Sequence, residues 1–269
     1  MRIAPSSYQL IYMAEMYCFY DEETLREGAT VTLGKAESQH LVKVLRLRPG
    51  SEVHVLDGQG RKARGIISSI ATKMARVELL AVEMVAAPPC AMHLAQVIPK
   101  GKCMDAIIRK ATEIGVRCIY PLLSDHSEVR LDAERGRSKR AGWVVTAREA
   151  CKQCGCPYLP EIHPPQKVDE FFAKMGAFAP ASSWLLIASL EEDAVYLGDY
   201  RATLPPQPKE ALWLIGPEGD FSPREYAQAR AAGCLPVGLT QNVLRSETAA
   251  TYALSILDYE LHALFKRHS

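Results

Sequence analysis

The sequence contains no apolar run of the roughly 20 residues that a transmembrane helix needs. No internal repeat and no low-complexity tract stands out either, which leaves an ordinary globular chain. The composition agrees, since 48% of the 269 residues are hydrophobic and 23% are charged, and this length is sufficient for two domains with proper cores. We therefore expect a cytoplasmic protein with no membrane partner.

A second C-x-x-C pair is also missing, although the chain has eight cysteines. Three of them lie close together in the run Cys151-Lys152-Gln153-Cys154-Gly155-Cys156. A tetrahedral zinc site there would need a remote fourth ligand such as His163. Scattered reduced thiols are the usual state in a cytoplasmic protein, so we predict no metal.

Turn residues divide the chain into two predicted domains. Short β-rich runs interrupted by Gly and Asp turns are typical of a small β-barrel, and they cover residues 29–33, 52–56, 63–70 and 75–82. After the linker Ala86-Ala87-Pro88-Pro89, strand-like and helix-like segments alternate to the end. We predict a β-barrel domain over residues 16–87 and an α/β domain over residues 90–269. Residues 1–15 lack a clean apolar core, and we interpret them as a leader from a misassigned start codon.

The most informative stretch begins with the apolar, strand-like run Leu212-Trp213-Leu214-Ile215. Gly216 and Gly219 then allow a sharp turn and a close approach of the backbone to a ligand. Ser222-Pro223-Arg224-Glu225 has the form of a capping box, which predicts a helix from Pro223. Since open α/β sheets bind ligands at loops that leave the carboxyl ends of strands, this loop predicts a small-molecule site.

The charge of this first loop narrows the class of ligand. Glu218 and Asp220 place two carboxylates beside the glycines, whereas a phosphate cradle needs N–H groups without a nearby anion. The spacing also fits neither G-x-G-x-x-G nor G-x-x-x-x-G-K-[ST]. A ligand with ribose hydroxyls or a positive centre is favoured. The alternative is structural, with Glu218 capping backbone donors and Asp220 facing water.

A second loop, residues 239–245, leads into a helix predicted to begin at Ser246, because apolar residues recur from there at helical spacing. Arg245, Glu247 and Thr248 lie at its start. Glu247 could serve only as a first-turn acid with Arg245 as its ion-pair partner, which is the structural alternative here.

Together the two loops resemble the signature of the RsmE family of ribosomal RNA methyltransferases, within the SPOUT class. The family pattern is GPEGG followed by LG-x-x-ILR-x-ETA, and this chain has Gly216-Pro217-Glu218-Gly219 and Leu244-Arg245-Ser246-Glu247-Thr248-Ala249. Shorter upstream similarities are Gln39-His40-Leu41, Val44-Leu45-Arg46, Asp57-Gly58, Gly60, Lys100-Gly101, Met104-Asp105, residues 110–116, Glu149-Ala150 and Gln153. Nearly all of the chain after Met16 is covered.

The resemblance implies an α/β fold with a carboxy-terminal SPOUT trefoil-knot domain and a small N-terminal PUA-like β-barrel. It also implies that the two loops bind S-adenosylmethionine, usually across a homodimer interface, and that the target is N3 of a uridine in 16S ribosomal RNA. The candidate cofactor-binding residues are Leu190, Gly216, Pro217, Glu218, Gly219, Gly238, Leu239, Val243, Leu244, Thr248 and Ala249.

The residues of the first loop are compatible with this cofactor, because their carboxylates would attract its positively charged sulfonium group. Uridine N3 is a poor nucleophile until its proton is lost, so the site needs a base or a cation that stabilises the resulting anion. Our hypothesis is that Arg245 stabilises the uridine anion and that Glu247 is the base or organises the loop.

Charge is segregated along the chain although the net charge is only +1. Residues 35–76 contain nine basic and three acidic residues, residues 100–152 contain twelve and seven, and residues 161–225 contain five and eleven. Basic front and middle segments are suited to RNA phosphates, while the structural alternative is a solvated face. The candidate RNA-binding residues are His40, Arg46, Lys100, Lys102 and Lys110.

Five positions depart from the family pattern. Asp220 and Thr240 stand where glycine is usual, and Cys18, His126 and Cys156 stand where arginines are often seen. Two other functions therefore stay open: an RNA-binding ribosome-assembly factor with weakened catalysis, and a SPOUT methyltransferase acting on another nucleotide or on a ribose 2′-oxygen.

Overall fold

The computed structural model describes residues 17–266, so the predicted leader over residues 1–15 lies outside the described residues. The described chain forms two compact units that divide after Ala87. The segment Cys151–Leu159 belongs to the first unit, although it lies far along the chain, and Pro160 returns to the second. The domain boundaries of 16–87 and 90–269 did not include this return and stay a prediction.

The first unit is built on a five-stranded mixed sheet in the order β1-β3-β4-β5-β2. Its strands are β1 (Cys18–Tyr20), β2 (Thr30–Thr32), β3 (Glu52–Leu56), β4 (Arg61–Ala71) and β5 (Met74–Met84). A short helix α1 (Lys35–Gln39) continues into a π-helical turn over His40–Val44. Alternation of buried and exposed residues produces the core, since Ala75, Val77 and Leu79 of β5 are buried at every second position.

The second unit contains a parallel sheet in the order β12-β10-β11-β6-β7-β8, with β9 also paired to β7. Its strands are β6 (Ala91–Val97), β7 (Cys118–Leu123), β8 (Glu161–Ile162), β9 (Gln166–Lys167), β10 (Ser183–Ala188), β11 (Glu210–Ile215) and β12 (Leu235–Val237). Strands buried on both faces carry continuous apolar runs, and β11 is buried from Ala211 to Ile215.

Within the described residues, five α-helices follow β6 along the chain. They are α2 (Cys103–Ile114), α3 (Ala133–Cys154), α4 (Val168–Ala173), α5 (Pro223–Ala231) and α6 (Ser246–Lys266). Helices α2 and α6 pack on each other, and α6 also packs on β6 and β11. Phe171 of α4 and Tyr226 of α5 join a core cluster with Val97 and Leu214 of the sheet.

A local signal located the start of α5. Ser222 and Glu225 form the predicted capping box at the start of α5, and each side chain accepts a hydrogen bond from the other residue's backbone N–H. Gly233, just beyond the helix, has φ +87°, a conformation that glycine adopts without strain. Across residues 17–266, none of the helices is both long and apolar enough to span a membrane.

Candidate functional site

A cleft opens where three neighbouring parallel strands end. Strands β12, β10 and β11 are adjacent in the sheet, so their carboxyl ends meet at one edge and the chain leaves each of them there. The lining residues of the cleft are Ala188, Ser189, Leu190, Ile215, Gly216, Pro217, Glu218, Asp220, Leu239, Thr240, Asn242, Val243, Leu244, Ser246 and Ala249. Both loops predicted from the sequence therefore line the same cleft.

The loop after β11 is a tight turn held by Asp220. The backbone N–H of Asp220 donates to the carbonyl of Pro217 at 3.1 Å, and Asp220 has φ +59°. This left-handed conformation explains why glycine is usual at the position, and Asp tolerates it better than most other residues. The carboxylate accepts hydrogen bonds from the Tyr226 hydroxyl at 2.9 Å and from the Phe221 N–H at 2.8 Å. Asp220 is therefore a structural acceptor within its own loop.

Gly216 allows the loop to pack closely on its neighbours. A Cβ atom at this position would lie 3.2 Å from the ring of Phe221, whose side chain is buried. Farther along the loop, the Glu218 carboxylate accepts a hydrogen bond from the backbone N–H of Lys100 at 3.3 Å. The acidic loop is thus connected to the segment that follows β6.

Ser246 connects the two loops. This residue is 5% exposed and begins α6. Its hydroxyl donates to the carbonyl of Gly216 at 3.1 Å and accepts from the side-chain amide of Gln96 at 2.9 Å. Gln96 lies on β6, is fully buried, and also donates to the carbonyl of Val97 at 2.8 Å. A chain of hydrogen bonds therefore fixes the start of α6, the first loop and the central strand to one another.

The outer side of the first loop is supported by the segment after β7. The Nδ1 atom of His126 lies 3.0 Å from the carbonyl oxygen of Gly219 and 3.1 Å from that of Asp220. Its neighbour Asp125 accepts a hydrogen bond from the Ser222 hydroxyl at 2.7 Å and pairs with Arg224. His126, one of the five departures from the family pattern, thus contacts the loop directly.

The second loop is held by a local turn at Thr240. The Thr240 hydroxyl accepts from the backbone N–H of Asn242 at 3.0 Å and donates to its carbonyl at 2.8 Å. Across the cleft, Leu190 is 63% exposed, and Val243 is 77% exposed. The apolar part of the wall is therefore open on one side.

Charge in the cleft has one sign. Glu218 and Asp220 line it, whereas the lining residues given above include no lysine or arginine. Such a site disfavours phosphate groups and stabilises a ligand with a positive centre.

The cleft brings together most of the predicted cofactor-binding residues. Those in its lining are Leu190, Gly216, Pro217, Glu218, Leu239, Val243, Leu244 and Ala249. Gly238 lines an adjoining depression, whereas Gly219 and Thr248 lie outside the lining. Arg245, which is exposed, and Glu247, which is half-buried, flank Ser246 at the start of α6 and also lie outside it.

The candidate RNA-binding residues all have exposed positions. His40 and Arg46 belong to the first unit, and Lys100, Lys102 and Lys110 belong to the second. Lys100 pairs with Glu128 at 2.6 Å, and Lys110 pairs with Glu113 at 2.8 Å.

Sequence reasoning missed several residues of the site. Ala188 and Ser189 follow an apolar run of the same type as β11, so the signal used for the first loop also marks them. Ser246 was recognised only as the beginning of a helix, and Gln96 only as part of a strand. No local pattern distinguishes such a polar residue from its neighbours, because its partners are distant in sequence.

The zinc site considered for Cys151, Cys154 and Cys156 would need a ligand from the other unit. These cysteines belong to the first unit, whereas His163, suggested as their remote ligand, belongs to the second.

Both units of the chain match families of known proteins. Residues 86–258 match the family model described as the RNA methyltransferase domain, and residues 33–80 match the RNA methyltransferase PUA domain. A curated relative, ribosomal RNA small subunit methyltransferase E of Synechocystis, is 32% identical over 84% of this chain and 72% of its own length.

Two solved structures are similar along almost their whole length. Ribosomal RNA small subunit methyltransferase E from Neisseria gonorrhoeae, bound to S-adenosyl methionine, has a TM-score of 0.81 at 29% identity and covers 91% of this chain and 98% of its own. A methyltransferase from Legionella pneumophila, in complex with the bound cofactor SAM, has a TM-score of 0.82 at 32% identity, with the same coverage.

Proposed function

Because the chain belongs to the RNA methyltransferase family, and within it to the ribosomal RNA small subunit methyltransferases E, we propose that it methylates N3 of a uridine in 16S ribosomal RNA. S-adenosylmethionine is the proposed methyl donor. The observation that carries the proposal is the cleft at the ends of β10, β11 and β12, which the family's two signature loops line together.

The cleft residues fit this cofactor. Glu218 and Asp220 give the lining a negative charge that would suit a sulfonium, and the lining contains no lysine or arginine. Leu190, Leu239 and Val243 supply apolar surface for a flat base. When bound, the cofactor supplies an activated methyl group. The protein's contribution is to hold donor and acceptor in line and to keep water away from them.

Two residues at the start of α6 are the proposed catalytic groups. Uridine N3 becomes a nucleophile when its proton is removed, and the negative charge then spreads over O2 and O4. The Arg245 guanidinium, exposed beside the cleft, would stabilise this anion with its fork of N–H donors. Glu247 lies two residues farther along and is the candidate acceptor of the proton or organiser of the loop.

Exchange of Arg245 tests this assignment. We expect Arg245→Ala to lower the rate of methyl transfer by roughly 10²- to 10³-fold, because a preorganised donor to the developing anion is lost. Affinity for S-adenosylmethionine, measured by calorimetry, should stay near that of the wild type. Arg201→Ala is the control, since Arg201 pairs with Glu260 and is not part of the cleft lining. Undiminished transfer by Arg245→Ala would show that another group stabilises the anion.

The proposed target is tested by mapping the methylated nucleotide. Small-subunit RNA from a strain that lacks the gene is incubated with the purified protein and labelled cofactor, and the product nucleoside is identified by mass spectrometry. We expect 3-methyluridine at one position. Label on a ribose oxygen or another base would assign a different target, and cofactor binding without transfer would favour an assembly factor.

Contacts to RNA are proposed for the exposed basic residues His40, Arg46, Lys100, Lys102 and Lys110, in agreement with the basic character of residues 35–76 and 100–152. We also propose that the protein is cytoplasmic, since its proposed substrate is ribosomal RNA.

We further propose a homodimer, because Leu190 and Val243 leave the cleft open on an apolar side and Tyr259 of α6 is 73% exposed. Light scattering of the purified protein measures this directly.

A further inference from the structure

A second group of reactive side chains lies at the opposite edge of the parallel sheet. The cleft is formed at the carboxyl ends of β10, β11 and β12, whereas Cys118 and Glu161 are the first residues of β7 and β8. In a parallel sheet these amino ends face away from the loops that bind the cofactor. The group is therefore separate from the site described above.

Strand register brings three side chains of different chemistry together. Cys118 pairs directly with Glu161 between β7 and β8, so both side chains point to the same face of the sheet. His163 follows two residues after Glu161, and its backbone N–H donates to the carbonyl of Ile119 at 2.9 Å. The sulfur, carboxylate oxygen and imidazole nitrogen of the three residues all lie within 4.8 Å of one another.

The imidazole of His163 is held in place but lacks a partner at one nitrogen. Its ring stacks on Tyr120, with the centroids 4.3 Å apart and an angle of 9° between the planes. The Nε2 atom is buried and makes no hydrogen bond within residues 17–266. Its nearest acid oxygen is Oε1 of Glu161 at 3.6 Å, too far for a hydrogen bond. A buried nitrogen of this kind is costly unless something binds it.

We propose that Cys118, Glu161 and His163 bind a zinc ion. In a tetrahedral site with zinc–ligand lengths of about 2.0–2.3 Å, neighbouring ligand atoms lie about 3.3–3.6 Å apart, and the 3.6 Å between Glu161 and His163 is close to this spacing. A thiolate and a carboxylate neutralise the two charges of the ion, and water completes the coordination. Sulfur and imidazole ligands favour zinc over magnesium or calcium.

Tyr120 is a neighbour of the proposed ligands. Tyr120 lies on the same strand two residues after Cys118, so both side chains point to the same face of the sheet. The same Tyr120 ring stacks on His163, so one residue adjoins two ligands. The site would connect β7 to the two-residue strand β8.

This proposal departs from the expectation that the protein binds no metal. Sequence spacing does not indicate the site, because Cys118 and His163 are separated by 45 positions and form no known ligand motif. Only the pairing of β7 with β8 brings them together.

Titration of the full-length, metal-free protein with cobalt(II) tests the proposal, because a thiolate ligand produces a charge-transfer band in the near ultraviolet. We expect a band that saturates at one cobalt per chain and disappears when zinc is added. Cys118→Ser should abolish the band, whereas Cys103→Ser, the control, should leave it unchanged. Cys103 is also a half-buried cysteine of the second unit but lies at the start of α2.

Glu161→Gln provides a second, milder variant. The Glu161 side chain is 64% exposed, so its exchange should leave the fold intact while weakening zinc affinity at least about tenfold. Zinc should raise the thermal midpoint of the wild type and of Cys103→Ser, and raise it less for Glu161→Gln. A cobalt band that persists in Cys118→Ser assigns the thiolate to another cysteine and overturns the proposal. Absence of both the band and the zinc-dependent midpoint also overturns it.

Discussion

Exchange of Ser246 for alanine tests how the cleft is held together. The Ser246 hydroxyl joins the carbonyl of Gly216 to the side-chain amide of Gln96, and all three residues belong to different elements. Its loss leaves the half-buried Gly216 carbonyl without this donor, and the fully buried side-chain amide of Gln96 keeps only its bond to Val97. A buried polar group that loses its partner costs about 1–3 kcal/mol, so we expect a loss of about 2 kcal/mol in the free energy of unfolding.

The assays are thermal unfolding and calorimetry. A loss of about 2 kcal/mol lowers the thermal midpoint by about 4–8 °C in a protein of this size. The affinity for S-adenosylmethionine should fall as well, by at most about thirty-fold if the whole of this free energy is lost from the bound form.

A matched control lies on the same helix. Ser255 is exposed and donates only to the carbonyl of Thr251, one turn back, so Ser255→Ala should change stability by less than about 0.5 kcal/mol. If Ser246→Ala unfolds at the same temperature as Ser255→Ala and binds the cofactor as the wild type does, the hydrogen-bonded link does not stabilise the cleft.

Two further predictions concern the first loop and the segment after β7 that supports it. Asp220→Gly removes the strained left-handed φ of +59° but also the acceptor of the Tyr226 and Phe221 hydrogen bonds, so we expect a net loss of about 1–2 kcal/mol, measured by urea unfolding. Asp220→Asn, which keeps an acceptor oxygen and tolerates the same φ, should lose less, and equal losses would contradict this account. The hydrogen bonds from Arg224, above all, lower the pKa of Asp125 from 3.8. A lowered pKa means that the carboxylate contributes stability above pH of about 4 and that this contribution disappears as the pH falls through the folded-state pKa. Arg224→Ala should therefore flatten the acid limb of the stability curve, and an unchanged limb would assign the pH dependence to other groups.

Much of this protein could be predicted from local patterns. The strand, loop and helix signals around Gly216 and Ser246 depend only on neighbouring residues, and the structure has a strand to Ile215, a capping box at Ser222 and a helix from Ser246. The short motifs in the same loops identified the family and the α/β fold class with its PUA domain, and the comparisons confirm both. The roles of Arg245 and Glu247 stay predictions.

Only the tertiary structure shows which residues hold the two loops and which other side chains meet on the sheet. The amide of Gln96 meets Ser246 across 150 positions, and His126 contacts the first loop from 93 positions away. Such partners are set by strand order and register, which no local pattern contains. For the same reason the sequence does not predict the group of Cys118, Glu161 and His163. These residues become neighbours only through the pairing of β7 with β8. Sequence determined which chemistry the chain carries, and packing decided which side chains meet.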